Sequence, residues 1–496
     1  MQNSAATSER RPDRLDPRAR TTILTLLIAA FVVILNETIM NVALPRLQVA
    51  FDVSESTVQW LATAFLLTMS VVIPTTGYLL RRFAIRTVFI LAMVLFSAGT
   101  LLAAMAPVFG VLLAARVIQA CGTAIMMPLL MTTILDIVPP QKRGAMMGNV
   151  SIVISVAPAI GPTISGLILQ FLEWRWIFLL VLPVALAALV IGARLLGGEA
   201  EEAKPLSVPS LLLAAPGFGL LVYGLSTLGG GHGAAAGSAS GPDTTPFVAI
   251  GVALVLLACF TLLQLRLQRE NRALLDLRPF TYRPFTLALA LMVMAMVSLF
   301  GIIILLPLFL QNVRGLDPLG TGLLLLPGGL LMGLLAPVVG RLYDRVGPRP
   351  LMVPGGVVLV AVLLGYTQLT ETTPVWMMVV AHLLMSLSFA LLFTPAFTTG
   401  LNPLPHHLHS HGSAVLSTLQ QLGGAAGTAL LVGIMASGTA GAAADGLGPV
   451  QAQVEGYQQG FLAAAVFAVL VLILSCFMRK SVFADEPAAE HAPAAH

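Results

Sequence analysis

Long apolar runs, separated by short segments that are charged or rich in glycine and proline, make up most of the chain. Such runs are long enough to cross a bilayer as helices, which takes about 20 residues. Only helices and closed barrels satisfy their backbone polar groups in lipid, and these runs lack the alternation of barrel strands. The sequence therefore predicts an all-α polytopic membrane protein. The fourteen predicted spans are 22–45, 57–80, 87–106, 109–135, 145–171, 175–195, 206–228, 246–267, 285–311, 319–341, 351–370, 374–401, 413–437 and 457–478.

The composition excludes a soluble globular protein. Charged residues make up 10% of the chain and hydrophobic residues 57%, whereas soluble domains carry about 25% charged residues. The apolar run after Arg20 is too long for the apolar part of a signal peptide, so we expect it to be retained as the first span. The three cysteines lie inside apolar runs and are expected to be small core residues. No disulfide, metal site or cofactor is expected.

The basic residues are distributed unequally between the two sides of the predicted bundle. If the N-terminus is cytoplasmic, 22 of the 26 Lys and Arg residues fall in segments on the inner side. Only Arg46, Arg175 and Arg314 fall outside, and Arg116 lies within a span. This asymmetry follows the positive-inside rule and predicts that both termini are cytoplasmic. The basic excess then faces lipid headgroups, so the lipid bilayer is an expected partner and nucleic acid is not.

The segment PTTGYLLRRFAIR (74–86) recurs in altered form as PVVGRLYDRVGPR (337–349), with a constant offset of 263 residues. Both copies end a predicted helix and enter a short basic loop. Because the copies lie eight spans apart, they predict two six-helix halves with two inserted helices. Parallel repeats of this kind are typical of transporters that work by alternating access, with the site between the halves. The matched positions are Pro74, Gly77, Leu79, Arg82 and Arg86 in the first copy and Pro337, Gly340, Leu342, Arg345 and Arg349 in the second.

The number of spans between the two copies of the repeat divides the chain into two bundles, an insertion and two tails. The two longest loops, GGGHGAAAGSASGPDTTP (229–246) and GTAGAAADGLGPVQAQVEGYQQG (438–460), are predicted to be flexible linkers on the outer side. The predicted parts are a cytoplasmic tail at 1–21, an N-terminal six-helix bundle at 22–200, two inserted linker helices at 201–275, a C-terminal six-helix bundle at 276–480 and a second cytoplasmic tail at 481–496.

Glu37 is the only charged side chain in the first apolar run. A carboxylate in hydrocarbon costs about 2.5–3.5 kcal/mol on insertion scales, so we expect it to have a function. At about 1.5 Å per residue, Glu37 and Arg116 both lie about 12 Å from the outer face. We predict that the two side chains are paired, directly or through water, and that they couple proton movement to transport. The alternative is a static ion pair that only fixes packing. Asn41 lies on the same helix face as Glu37, and Gln119 and Thr123 lie on the same face as Arg116. These three residues are predicted to line a cavity.

The fifth span combines two prolines with small residues. Pro158 and Pro162 each remove a helix hydrogen bond and favour a kink. Ala157, Gly161 and Ser165 recur at every fourth position and form a small-residue face, which lets helices approach closely. A bendable, tightly packed helix suits a gate, and ordinary transmembrane packing is the alternative.

Further polar and aromatic residues are weaker candidates. Trp60, Phe65 and Gln311 are candidate cavity residues, the two aromatic rings because ring faces attract cationic ligands; contact with lipid or core is the alternative. His382 lies within the twelfth span and is either a proton relay or a packed polar residue. The loop HHLHSHG (406–412) is interpreted as solvated rather than metal-binding, because it lacks helical ligand spacing.

Several motifs together resemble a known family. They are LNETIMNVALP, VQWLATAFLLTMSVVIPTTG, RVIQACGTA, APAIGPTISG, WRWIFLL and GSAVLSTLQQLGGAAGTAL. The chain is similar to the major facilitator superfamily, and from about residue 22 to 478 it resembles the fourteen-helix drug:proton antiporters of EmrB/QacA type. The resemblance implies a major facilitator fold of fourteen transmembrane helices, arranged as six, two and six. It also implies a monomeric, proton-driven exporter of amphipathic or cationic small molecules in the cytoplasmic membrane of a bacterium.

The resemblance assigns gating roles to the repeated loop motif and the fifth helix. The family usually has Asp where Asn36 and Arg81 stand, and glycine where Ala84 stands; the second copy of the loop motif keeps its Asp and Gly. The fifth helix has Ala157 and Ser165 in place of glycines. The gating positions are Gly77, Arg82, Gly340, Asp344 and Arg345 in the loop motif and Pro158, Gly161, Pro162 and Gly166 in the fifth helix.

Three other functions stay open at this point. One is a dedicated exporter of a single endogenous lipid, siderophore or antibiotic, and another is uptake instead of export. The third, a membrane-embedded enzyme, is disfavoured because Glu37 is the only acid predicted to lie deep in a span, whereas catalysis typically needs several acids or a His–acid set.

Overall fold

The computed structural model describes residues 17–197, 207–228, 244–270 and 272–479, and these form helices joined by short turns, with no strand among them. All fourteen long helices in these ranges are apolar enough to cross a membrane, which confirms the predicted fold class. The helices are α1 (Pro17–Phe51), α2 (Glu55–Arg82), α3 (Ile85–Ala104), α4 (Phe109–Ile137), α5 (Arg143–Phe171), α6 (Arg175–Leu195), α7 (Val208–Leu228), α8 (Thr245–Leu267), α9 (Arg283–Asn312), α10 (Pro318–Val346), α11 (Arg349–Tyr366), α12 (Val375–Leu401), α13 (His409–Ala444) and α14 (Pro449–Phe477).

The prediction of a flexible linker at 438–460 is wrong. Helix α13 continues to Ala444 and α14 begins at Pro449, so only a short turn separates them, with Gly446 at φ +86°. The alanine-rich stretch favours helix, and a helix does not have to end where its apolar run ends. The other predicted linker lies mostly outside the described residues, as do residues 1–16 and 480–496 of the two tails.

The helices pack as two groups with a helical pair beside them. Helices α1–α6 pack among themselves, as do α9–α14, and the inserted pair α7–α8 packs against α2 and α13. The two groups meet mainly where α5 crosses α10 and where α2 crosses α13. The internal repeat pairs α2 with α10, and the two contacts between the groups follow the same symmetry.

Glycines let the backbones touch at these crossings. Gly340 on α10 lies on Gly144 of α5, where any Cβ would run into the Gly144 carbonyl. Its repeat counterpart, Gly77 on α2, lies on His411 in the first turn of α13, and a Cβ there would be 2.8 Å from the ring. At Gly148 a Cβ would be 2.5 Å from the Ala336 carbonyl oxygen. We call the α5–α10 crossing, with its glycines at 144, 148 and 340, the glycine seam.

The two groups are also joined by side-chain hydrogen bonds at one end of the bundle. We call this the basic end; it carries the α2–α3, α4–α5, α10–α11 and α12–α13 loops. These bonds close the basic end in this conformation. The bonded pairs and their distances are Thr132–Ser413 at 2.7 Å, Ser151–Thr394 at 2.9 Å, Arg143–Asn402 at 3.2 Å and Asp136–His409 at 2.9 Å.

The glycine seam predicts a position-specific effect of added side chains. Gly340→Val should lower the Tm of the purified protein, because a side chain there meets backbone and overpacking costs about 1–3 kcal/mol. Gly166→Val is the matched control, since a Cβ at Gly166 has open space around it. Thermal unfolding in detergent measures both, and an equal drop for the two variants would contradict the seam.

Candidate transport site

A cavity of about 520 Å³ lies between the two helix groups. Its volume falls in the range of pockets that hold small organic molecules. Helices from both groups line it, and most of its wall is apolar. Thioethers are flexible and polarizable, so a methionine-rich wall adapts to ligands of different shape. The methionine and phenylalanine residues of the wall are Met69, Met126, Met127, Met296, Met332, Met385, Phe300, Phe389 and Phe393.

Of the residues that the structure describes, Glu37 is the only acid that lines this cavity. It projects from α1, half-buried, among the apolar side chains of Val33 and Ile34. Its carboxylate and the Arg116 guanidinium are close enough to interact electrostatically, although no direct ion pair joins these two described residues. Each charge is the main electrostatic partner of the other, and the carboxylate still faces the cavity.

Arg116 is fixed beneath the cavity wall. The side chain is 1% exposed, and its guanidinium carbon lies 4.1 Å from the centre of the Phe65 ring. One guanidinium nitrogen donates to Gln119 Oε1 at 3.0 Å, and Gln119 in turn donates to Thr100 Oγ1 at 2.8 Å. A cation–π contact and charge-assisted hydrogen bonds replace the water that this cation loses on burial. Arg116 therefore supplies a positive charge whose position is set by packing.

The structure divides the predicted cavity residues. Thr123 lines the cavity, as predicted. Gln119 and Phe65 do not line it, because both are buried against Arg116: Gln119 accepts a hydrogen bond from the guanidinium, and the Phe65 ring makes the cation–π contact. Trp60 stacks on Tyr223 of α7 at 6.3 Å, so its ring faces the inserted helices.

The remaining two predicted cavity residues gain no support. Gln311, near the end of α9, is absent from the cavity wall. The side chain of Asn41 lies outside the described part of the structure.

The prolines and the small residues of the fifth helix lie in different surroundings. Pro158 and Pro162 line the cavity. On the small-residue face, Gly161 lies against Thr38 of α1, and Ser165 donates to the Ile39 carbonyl at 2.9 Å. The close helix packing is confirmed, and the gating role stays a prediction.

Asp344 reaches from α10 to the first turn of α5. Its carboxylate accepts hydrogen bonds from the backbone N–H groups of Gly144 at 3.1 Å and Ala145 at 3.0 Å. A carboxylate is favourable at a helix N-terminus, where backbone donors lack partners. Asp344 therefore ties the two helix groups together at the basic end. The neighbouring Arg82 and Arg345 side chains are exposed at the same end.

An acid also lies near the corresponding contact of the first half, but its bonds differ from those of Asp344. Arg81 stands at the repeat position of Asp344, next to the first turn of α13. Asp276, buried in the segment before α9, lies there too: its backbone N–H donates to His411 Nδ1 at 3.3 Å. Both Asp276 and Arg81 act electrostatically on His411. An acid from the segment between α8 and α9 thus lies near this helix start, although its carboxylate is held by Arg278.

Sequence reasoning missed Asp276. Its carboxylate is held by Arg278, through the backbone N–H at 2.9 Å and Nε at 2.8 Å. Burial by itself would raise the pKa of the Asp276 carboxyl, but the hydrogen bonds from Arg278 outweigh it and hold the pKa below its ordinary value. The available signal was an acid two residues before an arginine in the short stretch between two apolar runs.

The interpretation of 406–412 as a solvated loop is wrong for its second half. His409 and His411 are 4% and 2% exposed. His409 bridges Asp136, with Nδ1 at 2.9 Å, and the Leu404 carbonyl, with Nε2 at 3.0 Å. These residues begin α13 and are buried because they lie at the contact between the helix groups.

The low pKa of Asp276 predicts how stability depends on pH. A depressed pKa stabilises the folded state above the ordinary value, about 4 for Asp, and this contribution is lost as the pH falls through the lower folded value. Asp276→Asn should therefore lower the Tm by a few degrees at neutral pH, and the gap to the parent protein should narrow below about pH 4. Tm measured across pH checks this. Glu270→Gln, at an exposed position nearby, is the control, and a gap that does not change with pH would contradict the assignment.

Comparisons with known proteins agree with this architecture. The sequence profile of the Major Facilitator Superfamily matches residues 26–428. The lincomycin resistance protein LmrB of Listeria monocytogenes is 40% identical over 465 residues, which cover 92% of this chain and 96% of that protein. A multidrug resistance protein B homolog of Mycobacterium tuberculosis is 29% identical, with 85% and 77% coverage.

Solved structures show the same fold at low sequence identity. A human organic anion transporter superposes with a TM-score of 0.67 at 14% identity, covering 93% of this chain and all of that one. A proton:xylose symporter superposes with a TM-score of 0.61 at 14% identity, covering 92% and 96%. The profile match and the relatives favour a membrane transporter over an enzyme, and the chain belongs to the major facilitator superfamily.

Proposed function

We propose that this transporter is a proton-coupled exporter of amphipathic, cationic small molecules that works by alternating access. The observation that carries the proposal is the position of Glu37, the only acid on the wall of an apolar cavity between the two halves. An amphipathic cation finds there both a countercharge and an adaptable apolar surface. The names of two relatives, lincomycin resistance protein and multidrug resistance protein B homolog, support drug export.

Competition at Glu37 would couple the two fluxes. A carboxylate in an apolar wall is costly when it is charged and unpaired, so it is favoured either protonated or next to a cation. Arg116 keeps the charged form accessible from beneath the wall. A proton and a cationic substrate then exclude each other at one site. The membrane potential contributes about 2.3 kcal/mol per charge per 100 mV, which can drive protons inward and substrate outward.

The conformation described here supplies one state of such a cycle. We infer from the positive-inside distribution of Lys and Arg that the basic end is cytoplasmic, as are both termini, in the cytoplasmic membrane of a bacterium. Closure at the basic end then makes this a state sealed toward the cytoplasm. Rupture of the Asp344 cap and of the hydrogen bonds between the halves would accompany the opposite state.

A narrower function has its own support. The relative at 40% identity carries the name of a single antibiotic, which favours a dedicated exporter of one compound over a broad one. The methionine-rich wall favours breadth, because it has few fixed polar contacts. A panel of dyes, antibiotics and native lipids, tested on a deletion strain with and without collapse of the proton gradient, separates the two.

The coupling role of Glu37 predicts a selective loss of function. Glu37→Gln keeps the shape of the side chain but holds neither the charge nor the exchangeable proton. Substrate-induced proton movement in everted vesicles should fall to the level of empty vesicles, while protein yield and Tm stay close to those of the parent.

The matched control is Glu371→Gln, the same change at an exposed loop position, which should leave antiport intact. Antiport that persists in Glu37→Gln would refute the proposal.

A further inference from the structure

The cavity wall contributed by the C-terminal half contains a histidine of defined orientation. His382, on α12, lines the cavity, and its Nε2 lies 3.1 Å from the Leu325 carbonyl oxygen on α10. A carbonyl only accepts, so Nε2 carries the hydrogen. In a neutral imidazole the other nitrogen is then an acceptor. His382 thus offers a single hydrogen-bond acceptor, Nδ1.

A tight seat holds this ring in place. A Cβ at Gly328 would collide with ring atoms of His382 and would lie 2.6 Å from Ser386 Oγ. Glycine at this position therefore lets the imidazole lie directly against the α10 backbone. With Nε2 anchored and one ring edge against Gly328, the direction of Nδ1 is set before any ligand arrives, which is the arrangement expected of a recognition group.

Three side chains on this side of the cavity wall each carry a polar atom that has no partner among the described residues. The atoms are His382 Nδ1, Ser417 Oγ and Gln420 Nε2; each is itself buried, and each belongs to a residue that lines the cavity. The Ser417 residue is 7% exposed. Buried polar groups in folded proteins almost always have hydrogen-bond partners, so unpaired ones demand an explanation. Their concentration on the wall of a ligand-sized cavity points to a ligand that supplies the missing partners.

The polar groups differ between the two sides of the cavity. The N-terminal half contributes Glu37 and hydroxyls that bond to carbonyls of their own helices, such as Thr123. The C-terminal half contributes the unpaired neutral donors and acceptor on α12 and α13. An ammonium or phosphonium group satisfies a carboxylate. A hydroxyl or amide group both donates and accepts, so it satisfies neutral groups of either kind.

We propose that His382, with Ser417 and Gln420, forms a hydrogen-bonding subsite for a neutral hydroxyl or amide group of the substrate, and that Nδ1 of His382 determines specificity. This inference rests on the proposed export of cations, and it narrows the substrate class. The preferred substrate is a monocation whose other end carries a hydrogen-bond donor. A purely apolar cation uses Glu37 and the methionine wall alone.

Binding of two matched probes to the purified full-length protein tests the subsite. The probes are tetraphenylphosphonium, which has no hydrogen-bonding group, and the same cation with one ring hydroxyl. We expect the parent protein to bind the hydroxylated probe roughly three- to tenfold more tightly, the effect of one added hydrogen bond. Equal affinities would overturn the proposal.

Two substitutions separate recognition from anchoring. His382→Gln can keep a donor for the Leu325 carbonyl but loses the acceptor at Nδ1, so the affinity ratio should fall to about one with the tetraphenylphosphonium affinity unchanged. His382→Asn keeps an acceptor near the Nδ1 position and should retain part of the preference. A merely structural role predicts the reverse order, with both probe affinities falling together in His382→Asn, and that result overturns the proposal.

The same probes distinguish failure of the subsite from failure of the export function. If the hydroxyl preference depends on His382 but export of both probes survives collapse of the proton gradient, the proposed coupling is wrong and the subsite stands. If both probes are exported in a gradient-dependent manner with equal affinity, the subsite is wrong and the export function stands. If the parent protein binds neither probe, both are wrong.

Discussion

A guanidinium inside a lipid-embedded helix bundle imposes the strongest constraint on this molecule. Arg116 cannot reach water, so its charge must be compensated by the protein around it. Phe65 covers it, Gln119 and Thr100 extend its hydrogen bonds, and Glu37 provides the opposite charge across the wall. The burial of Gln119 on α4 and Thr100 on α3 follows from this one requirement. In the proposed mechanism the carboxylate responds to a ligand, and the cation beside it is already held in place.

The contact between the halves shows how an internal repeat can keep its geometry while its chemistry changes. Both copies of the repeated motif lay a glycine on the first turn of a helix in the opposite half. Only the second copy also carries the acid that caps this helix, Asp344. In the first copy Arg81 stands at that position, and Asp276 brings a carboxylate from elsewhere in the chain. The connection between α8 and α9 thus contributes a carboxylate to the contact between the halves.

Sequence reasoning reached the fourteen spans, the Glu37 position and the small-residue face of α5, because each depends on local pattern and on the cost of burial. It did not predict that Gln119 and Phe65 contact Arg116, since periodicity shows which face of a helix is polar but not which residues that face contacts. Asp276 was missed because its contact with His411 joins distant parts of the chain, although Arg278, which holds its carboxylate, is only two residues away. The helical structure on both sides of the turn after Ala444 was missed because hydropathy indicates only the part of a helix that crosses the membrane, and a helix can continue beyond that part.

The glycine seam and the cavity wall, which both lie between the halves, differ in how they tolerate amino-acid substitutions. At the glycine seam an added side chain meets backbone, so we expect substitutions there to be destabilising. The cavity wall is built of thioethers and phenyl rings, where swaps of similar volume cost less than about 1.5 kcal/mol. Transporters that descend from one such gene can therefore diverge in the compounds they recognise while they keep the same helix crossing between the halves.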